Sequence, residues 1–325
     1  MPTSPHFLSS GDVLADRRYN WARELEARGD VAGAADLLVQ TLERVPDFAA
    51  GWFALGELRA RLGDEAGAID AWRRTCAADP QDRHGASLHL ARLGANAVGG
   101  AMPQDYVRTL FDQYSERFDG ALTAGLDYRG PEILLRAVEA VCARTGRAML
   151  FADVLDLGCG TGLAGGAFRP FAHRMTGVDL SVGMIAQARA KGLYDRLETS
   201  DVQNFLAAAD RAESCDLILA ADVFVYLGDL APVFVQAARV LTPAGLLAFT
   251  AETHAGEGLL LRDTLRYAHG AAHIRAALEG AQLEPLHVEH ISFRTEKGAP
   301  VPGLVVIAGR SDASIVPPST APSVP

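Results

Sequence analysis

Two hydrophobic patterns divide the chain. Up to about residue 95 the apolar positions recur at helical spacing, as in Trp52, Leu55 and Leu58 or in Leu37, Leu38 and Leu42, the stripe expected of helices that bury one face. From Ala152 the pattern changes to short apolar runs near 154 to 158, 175 to 179, 196 to 200, 216 to 221, 245 to 251, 286 to 294 and 303 to 309, each of strand length. Helical segments separate the first five, including Ser181 to Lys191, Val202 to Arg211 and Leu230 to Leu241. Short connections between alternating strands and helices predict an α/β, doubly wound, mostly parallel sheet with helices on both faces. Only Lys297 to Pro302 separates the last two runs, so the end of the sheet reads as an antiparallel hairpin.

The helical part repeats. Gly29-Asp30 recurs as Gly63-Asp64, Ala34 as Ala68 and Pro46 as Pro80, each pair 34 residues apart. In each unit a helix carrying Trp21 and Leu25, or Trp52, Leu55 and Leu58, ends at the Gly-Asp turn, and a second carries Leu37, Leu38 and Leu42, or Ile69 and Trp72. This period and layout resemble tetratricopeptide repeats over about residues 17 to 80, with Asp82 to Leu93 as a capping helix. The resulting division is an extension at 1–16, TPR-like helices at 17–95, a Gly-rich linker at 96–104, a helical lid and lead-in at 105–150, an α/β domain at 151–310 and a disordered Ser/Pro/Ala tail at 311–325. Two repeats are fewer than usually stand alone, so the array is expected to pack on its neighbour, self-associate or bind a protein partner.

Composition narrows the partners. A formal charge of −10 with no basic run argues against nucleic acid held through its phosphates. The four cysteines, Cys76, Cys142, Cys159 and Cys215, lack Cys-x-x-Cys spacing, so neither zinc nor a disulfide framework is expected and a cytoplasmic location follows. No signal-peptide pattern is seen, nor a segment of membrane-spanning length without charge.

Chemistry concentrates at Val154-Leu155-Asp156-Leu157-Gly158-Cys159-Gly160-Thr161-Gly162. A buried strand runs into glycines at alternate positions, which lets the backbone turn sharply and approach a ligand, ahead of a helix whose first N–H groups are free. Leu163 stands where the dinucleotide fingerprint has its third glycine, which weakens an NAD(P)-dependent oxidoreductase reading. Asp179 closes the next strand about twenty residues on, where a carboxylate meets ribose hydroxyls, with capping of the following helix as the lesser alternative; Asp201 closes the third, where a helix cap is an equal alternative. Together the sheet, the loop and the terminal hairpin resemble the class I S-adenosylmethionine-dependent methyltransferases over about residues 105 to 310, and the whole chain resembles bacterial proteins that fuse such a domain to tetratricopeptide repeats. The resemblance implies a Rossmann-like seven-stranded sheet with one antiparallel strand. It also implies S-adenosylmethionine as cofactor, with Asp156 and the loop glycines on its methionine part and ribose, Asp179 on the ribose, Leu180 and Met184 against adenine, and Asp201-Val202 at the adenine amino group. Cys159 and Ala221 line the same site.

Methyl transfer from a sulfonium needs alignment and water exclusion, with a base only if the nucleophile arrives protonated. Few residues need be catalytic. The Asn/Asp-Pro-Pro-aromatic motif of amino-group methylation is absent after the fourth strand, and Asp222 to Tyr226 resembles the aromatic loop of small-molecule methyltransferases. Asp222 and Tyr226 are therefore candidate acceptor-side residues. His269 and His273 fall four apart and meet if a helix runs through Gly270. His269 is the preferred base, His254 its rival, and Tyr267 a wall; with no Glu after the first His and no third ligand, no metal is expected. Phe111, Tyr114, Phe118 and Leu122 form a stripe, with Leu110 and Leu126 nearby, that serves as core or as a lid over a pocket. The expectation is a small-molecule methyltransferase; a non-catalytic cofactor-binding scaffold is its alternative.

Overall fold

The structure, a computed structural model, describes residues 9–100, 102–120, 128–208, 213–296 and 298–311. Leu122, Leu126, the helix end at Arg211, Lys297 and the tail beyond 311 lie outside them. The chain divides into two units, Met1–Leu110 with Leu261–Arg266, and Phe111–Leu260 with Tyr267–Pro325.

In the first unit two helical hairpins repeat the same local solution. Helices α1 (Val13–Ala27) and α2 (Val31–Arg44) are followed by α3 (Ala49–Arg61) and α4 (Glu65–Ala78). Gly29 and Gly63 take left-handed φ of 87° and 80°, and the next residue caps the second helix. Asp30 Oδ1 accepts from Gly33 N at 2.9 Å and Asp64 Oδ1 from Gly67 N at 2.9 Å, each satisfying a donor that the helix start leaves open. One core gathers Tyr19, Leu38, Leu42, Leu55 and Leu58, another Phe53, Trp72 and Leu90. Trp21, in the first helix, is 58% exposed, and the inward face of α1 belongs to Tyr19 and Ala22 instead. The capping helix is shorter than expected, α5 (Ala86–Arg92), and Asp82 accepts from Ala86 N and Ser87 N at its start. Helix α6 (Gln104–Tyr114) belongs to the first unit up to Leu110 and to the second from Phe111.

The second unit is built on strands β1 (Phe151–Leu157), β2 (Ala172–Asp179), β3 (Arg196–Thr199), β4 (Cys215–Ala220) and β5 (Leu241–His254), with β6 (Leu259–Leu261), β7 (Tyr267–Gly270), β8 (Leu283–His290), the short β9 (Thr295–Glu296) and β10 (Ala299–Pro300), and β11 (Gly303–Arg310). Their order is β3-β2-β1-β4-β5-β11-β8, with β7 added at the end of β5 and β6 beside it. The first five are parallel; β11 runs antiparallel to both β5 and β8. Alternation along each strand splits the core in two. Leu155, Leu157, Ile218 and Phe249 face α10 (Val202–Ala207), α11 (Ala231–Val240) and α12 (Ala271–Gly280), while Val154, Leu217, Leu219 and Ala248 face α7 (Gly130–Thr145) and Phe168 of α8 (Leu163–Phe168). The seven expected strands are present in the expected mixed sheet.

One expected element is corrected. Tyr267 to Gly270 is strand, not helix, and α12 begins only at Ala271. The space at Gly270 explains this: a Cβ there would meet Gly256 O at 2.6 Å, and Gly270 N donates to Gly258 O at 2.8 Å. The backbones lie too close for a helical turn with side chains.

Candidate functional site

Asp156, Asp179 and Asp201 stand at or just past the carboxyl ends of β1, β2 and β3, three strands adjacent in the sheet. The expected convergence is therefore present. Asp156 is 1% exposed and accepts from the Tyr194 hydroxyl at 2.7 Å. Burial pushes its carboxyl up to about 7, against the lowering effect of Tyr194 and with a further rise from Asp179. Asp179 Oδ2 accepts from Gly160 N at 2.9 Å and its Oδ1 from Ser181 N at 2.8 Å, so it braces the loop and the start of α9 (Val182–Lys191). Burial raises it to about 6, opposed by those backbone donors. Asp201 caps α10 with one oxygen, Oδ1, which accepts from Gln203 N and Asn204 N at 3.0 and 3.1 Å.

The three glycines of the loop all have left-handed φ, 60°, 52° and 92°, but they serve different neighbours. A Cβ at Gly158 would strike Val223 at 2.5 Å, and one at Gly162 would press Tyr194 at 3.1 Å. Only Gly160 opens outward, with nothing nearer than the Phe118 ring at 3.8 Å. Gly158 and Gly162 thus make room for Val223 and Tyr194, and of the three only Gly160 has no neighbour that close. Cys159 is buried, and burial holds its thiol protonated, well above the ordinary range; it lines the loop and has no nucleophilic character. Met184 is fully buried, Leu180 is half-buried, and Val202 belongs to the core beneath α10.

The aromatic stripe lies over this loop. Past Tyr114 the helix tightens to a 3₁₀ turn (Ser115–Arg117). Phe118 faces Gly160, and Phe111 meets both Phe118 at 6.0 Å and Tyr226 at 5.3 Å, edge to face. Two carboxylates fasten the segment. Asp112 accepts from Ser181 Oγ at 2.5 Å and Gly183 N at 3.1 Å; Asp119 accepts from Thr161 Oγ1 and from Lys191 Nζ at 2.6 Å.

On the β4 side, Asp222 has a left-handed φ of 61° and its N–H donates to Thr250 Oγ1 at 2.8 Å. Ala221 is half-buried beside it. A non-glycine residue held in that region stores strain, a common mark of a working loop. His269 is fully buried on β7, its Nε2 3.1 Å from Phe224 O, so it holds the Phe224–Tyr226 turn. With Nε2–H donating there, Nδ1 is the open acceptor, and no hydrogen bond reaches it. Burial lowers this imidazole to about 4, which keeps it neutral. His273 stacks on it at 6.0 Å, across the strand–helix junction and not along one helix. His254 braces the turn after β5 through Gly256 N and Gly258 O, both at 3.2 Å, and Tyr267 is fully buried.

Residues without a sequence signal complete the site. They are Tyr194, Asp112, Asp119 and Lys191; apart from them, a fully buried ion pair joins Arg294 to Glu252 near the end of β5. Only their distant partners give them meaning.

The donor set fits S-adenosylmethionine. Three carboxylates would offer acceptors for an ammonium group, ribose hydroxyls and an adenine amino group, and a Cβ at Gly160 would meet nothing nearer than the Phe118 ring at 3.8 Å. A pyrophosphate would meet the same carboxylates as repulsion, and the one lysine here, Lys191, is paired with Asp119. The fold is that of the Rossmann-like methyltransferases, following tetratricopeptide-like helical repeats in the sequence.

Known proteins agree. Residues 155–249 match the family described as methyltransferase domain. Malonyl-[acyl-carrier protein] O-methyltransferase of Salmonella typhimurium is 35% identical over 106 residues, 33% of this chain and 40% of that protein. The chain therefore spans well under two thirds of that relative's length. The TPR repeat-containing protein PA0015 of Pseudomonas aeruginosa is 43% identical over 67 residues, 21% of this chain and 64% of that protein. In fold, the domain is similar to the 1,6-didemethyltoxoflavin-N1-methyltransferase of Burkholderia thailandensis, solved with 1,6-didemethyltoxoflavin and S-adenosylhomocysteine, at TM-score 0.50, 20% identity, and coverage of 63% of this chain and 88% of that one.

Proposed function

We propose that the protein is a methyltransferase that binds S-adenosylmethionine at the β1–β3 strand ends and passes its methyl group to a small-molecule acceptor seated against the Asp222–Tyr226 loop. The observation that carries this reading is the row of Asp156, Asp179 and Asp201 on adjacent strands, with Asp179 fastening the outward-facing Gly160. The cofactor supplies an activated methyl on a neutral leaving group. What the chain supplies is alignment and exclusion of water. Asp179 and Asp201 orient the nucleoside, Asp156 takes the ammonium, and Phe111, Phe118 and Tyr226 roof the site. Asp222, held in a strained turn, and Tyr226 are the acceptor-side residues. His269 positions the Phe224–Tyr226 turn and is too deeply buried to be the first choice of base. The helical repeats serve packing, self-association or partner binding.

Calorimetry with S-adenosylmethionine and with NAD tests the cofactor reading: saturable binding of the first alone is expected, and binding of NAD alone would make the protein an oxidoreductase. Incubation of cell extract with radiolabelled S-adenosylmethionine then separates labelled small molecules from labelled protein. Cofactor binding without any labelled product would favour the non-catalytic scaffold.

A further inference from the structure

Tyr194 lies in the connection between α9 and β3, with no motif around it, yet four elements of the site are shaped to it. Its hydroxyl donates to Asp156 Oδ2 at 2.7 Å. A Cβ at Gly165 in α8 would overlap the same hydroxyl, one at Gly177 in β2 would meet the ring at 2.9 Å, and one at Gly162 at 3.1 Å. Three glycines thus form a slot for one aromatic ring. Its neighbour fixes the backbone, since Asp195 N donates to Met175 O at 2.9 Å and Asp195 Oδ2 accepts from Met175 N at 2.8 Å. The ring cannot swing away without unfastening β2.

The groups that face Asp156 share one property. They are Tyr194, Asp179 on β2, Cys159 in the loop and Tyr128 before α7, with Asp222 acting on Tyr128 from the β4 side. None of these is cationic. A buried carboxylate with one hydroxyl donor and no positive neighbour among the described residues is incomplete, and an ammonium group is the partner its chemistry calls for.

We propose that Tyr194 is the positioning residue for the cofactor's ammonium group, acting through Asp156: its hydroxyl aims the carboxylate and favours the charged form, and its ring locks the glycine loop beside it. This rests on the reading of the site as one for S-adenosylmethionine. It makes ammonium recognition proton-linked. Burial sets the Asp156 carboxyl near 7 and the Tyr194 hydrogen bond pulls it down, so losing the hydroxyl raises it further and moves the onset of binding to higher pH.

The test uses the full chain, calorimetry, and two probes. S-adenosylhomocysteine carries the ammonium group; 5′-methylthioadenosine keeps the nucleoside and thioether without it. Tyr194→Phe is expected to weaken the first by about tenfold, as for a hydrogen bond to a charged group, and to leave the second within about twofold. Affinity for S-adenosylhomocysteine rises with pH through about 7 in the unmodified protein, and in Tyr194→Phe that rise moves upward. Asp156→Asn keeps the packing and is expected to lose the part of the pH dependence centred near 7, leaving only the lower step of Asp179 near 6. Adding Tyr194→Phe to it costs nothing more, because the tyrosine acts through the carboxylate. Equal weakening of both probes, or an unmoved pH profile, would overturn the proposal in favour of simple packing. Should Tyr194→Phe fail to fold, Asp156→Asn alone decides, and retention of full affinity and pH dependence would overturn it. If the unmodified protein binds neither probe, the methyltransferase reading itself fails, whereas binding of both with no effect of either variant sinks only the role of Tyr194.

Discussion

Asp179 has both carboxylate oxygens engaged, one on Gly160 N and one on Ser181 N, so it stiffens the loop before any ligand arrives. Its removal strips the loop of that brace and, on the proposed reading, the nucleoside of a charged acceptor. Asp179→Ala is expected to weaken S-adenosylmethionine binding by about 1.5 to 3 kcal/mol while circular dichroism shows an intact fold. An unchanged dissociation constant would refute the role. The loop glycines permit a sharper contrast. Gly165→Ala drives a methyl into the Tyr194 hydroxyl, a clash that costs stability of about 1 to 3 kcal/mol and lowers the unfolding temperature. Gly160→Ala makes only an ordinary contact with the Phe118 ring at 3.8 Å and pays mainly for a left-handed backbone, about 1 kcal/mol, so its larger effect is expected on cofactor affinity. Thermal unfolding and calorimetry on the two variants should separate them; the reverse ranking would show that Gly160 does not face the ligand.

Elements reveal why some of this was legible and some was not. The helical repeats and strands are local: period and burial alternation depend on neighbours a few residues away, and the Gly-Asp turns announce their own caps. Asp30→Ala and Asp64→Ala should each cost about 1 kcal/mol, nearly additively in chemical denaturation, since they share no partner. Asp201 was legible for the same reason, because a cap is a contact within one turn. The strap at 111–119 was visible as an aromatic stripe, but not its fastening. Asp112 meets Ser181 across 69 positions and Asp119 meets Thr161 across 42, and no spacing rule links residues that far apart. The strand at 267–270 was misread because two histidines four apart mimic a helix face, whereas the deciding contact is between the backbones of Gly270 and Gly256. For the strap the consequence is kinetic. Asp119→Ala unfastens the strap from Thr161 and Lys191 at a stability cost under about 1 kcal/mol, as for a half-exposed pair. Stopped-flow measurement should find cofactor dissociation severalfold faster; an unaltered rate would mean that the strap does not cover the bound cofactor.

At the scale of the whole molecule, the two units have separate hydrophobic cores, one set built from α1 to α5 and the other from the two faces of the sheet. The proposed cofactor site draws its residues from the second. A ligand stabilises only the fold that binds it, by about 2.7 kcal/mol at a hundred times its dissociation constant. Scanning calorimetry of the full chain should therefore show two unfolding transitions, with S-adenosylhomocysteine raising one and leaving the other in place; a joint shift of both would show that the units unfold together. The shift should also depend on pH. Burial raises Asp156 to about 7 and Asp179 to about 6, so between their ordinary value near 3.8 and those values the folded state holds more protons than the unfolded one. In the free protein their contribution to stability is then greatest at low pH and is lost as pH rises toward 7. A bound ammonium group favours the charged carboxylates and opposes that loss. The ligand-induced shift is expected to grow from about pH 6 to about pH 8, and a shift independent of pH would remove these two carboxylates from the cofactor's recognition.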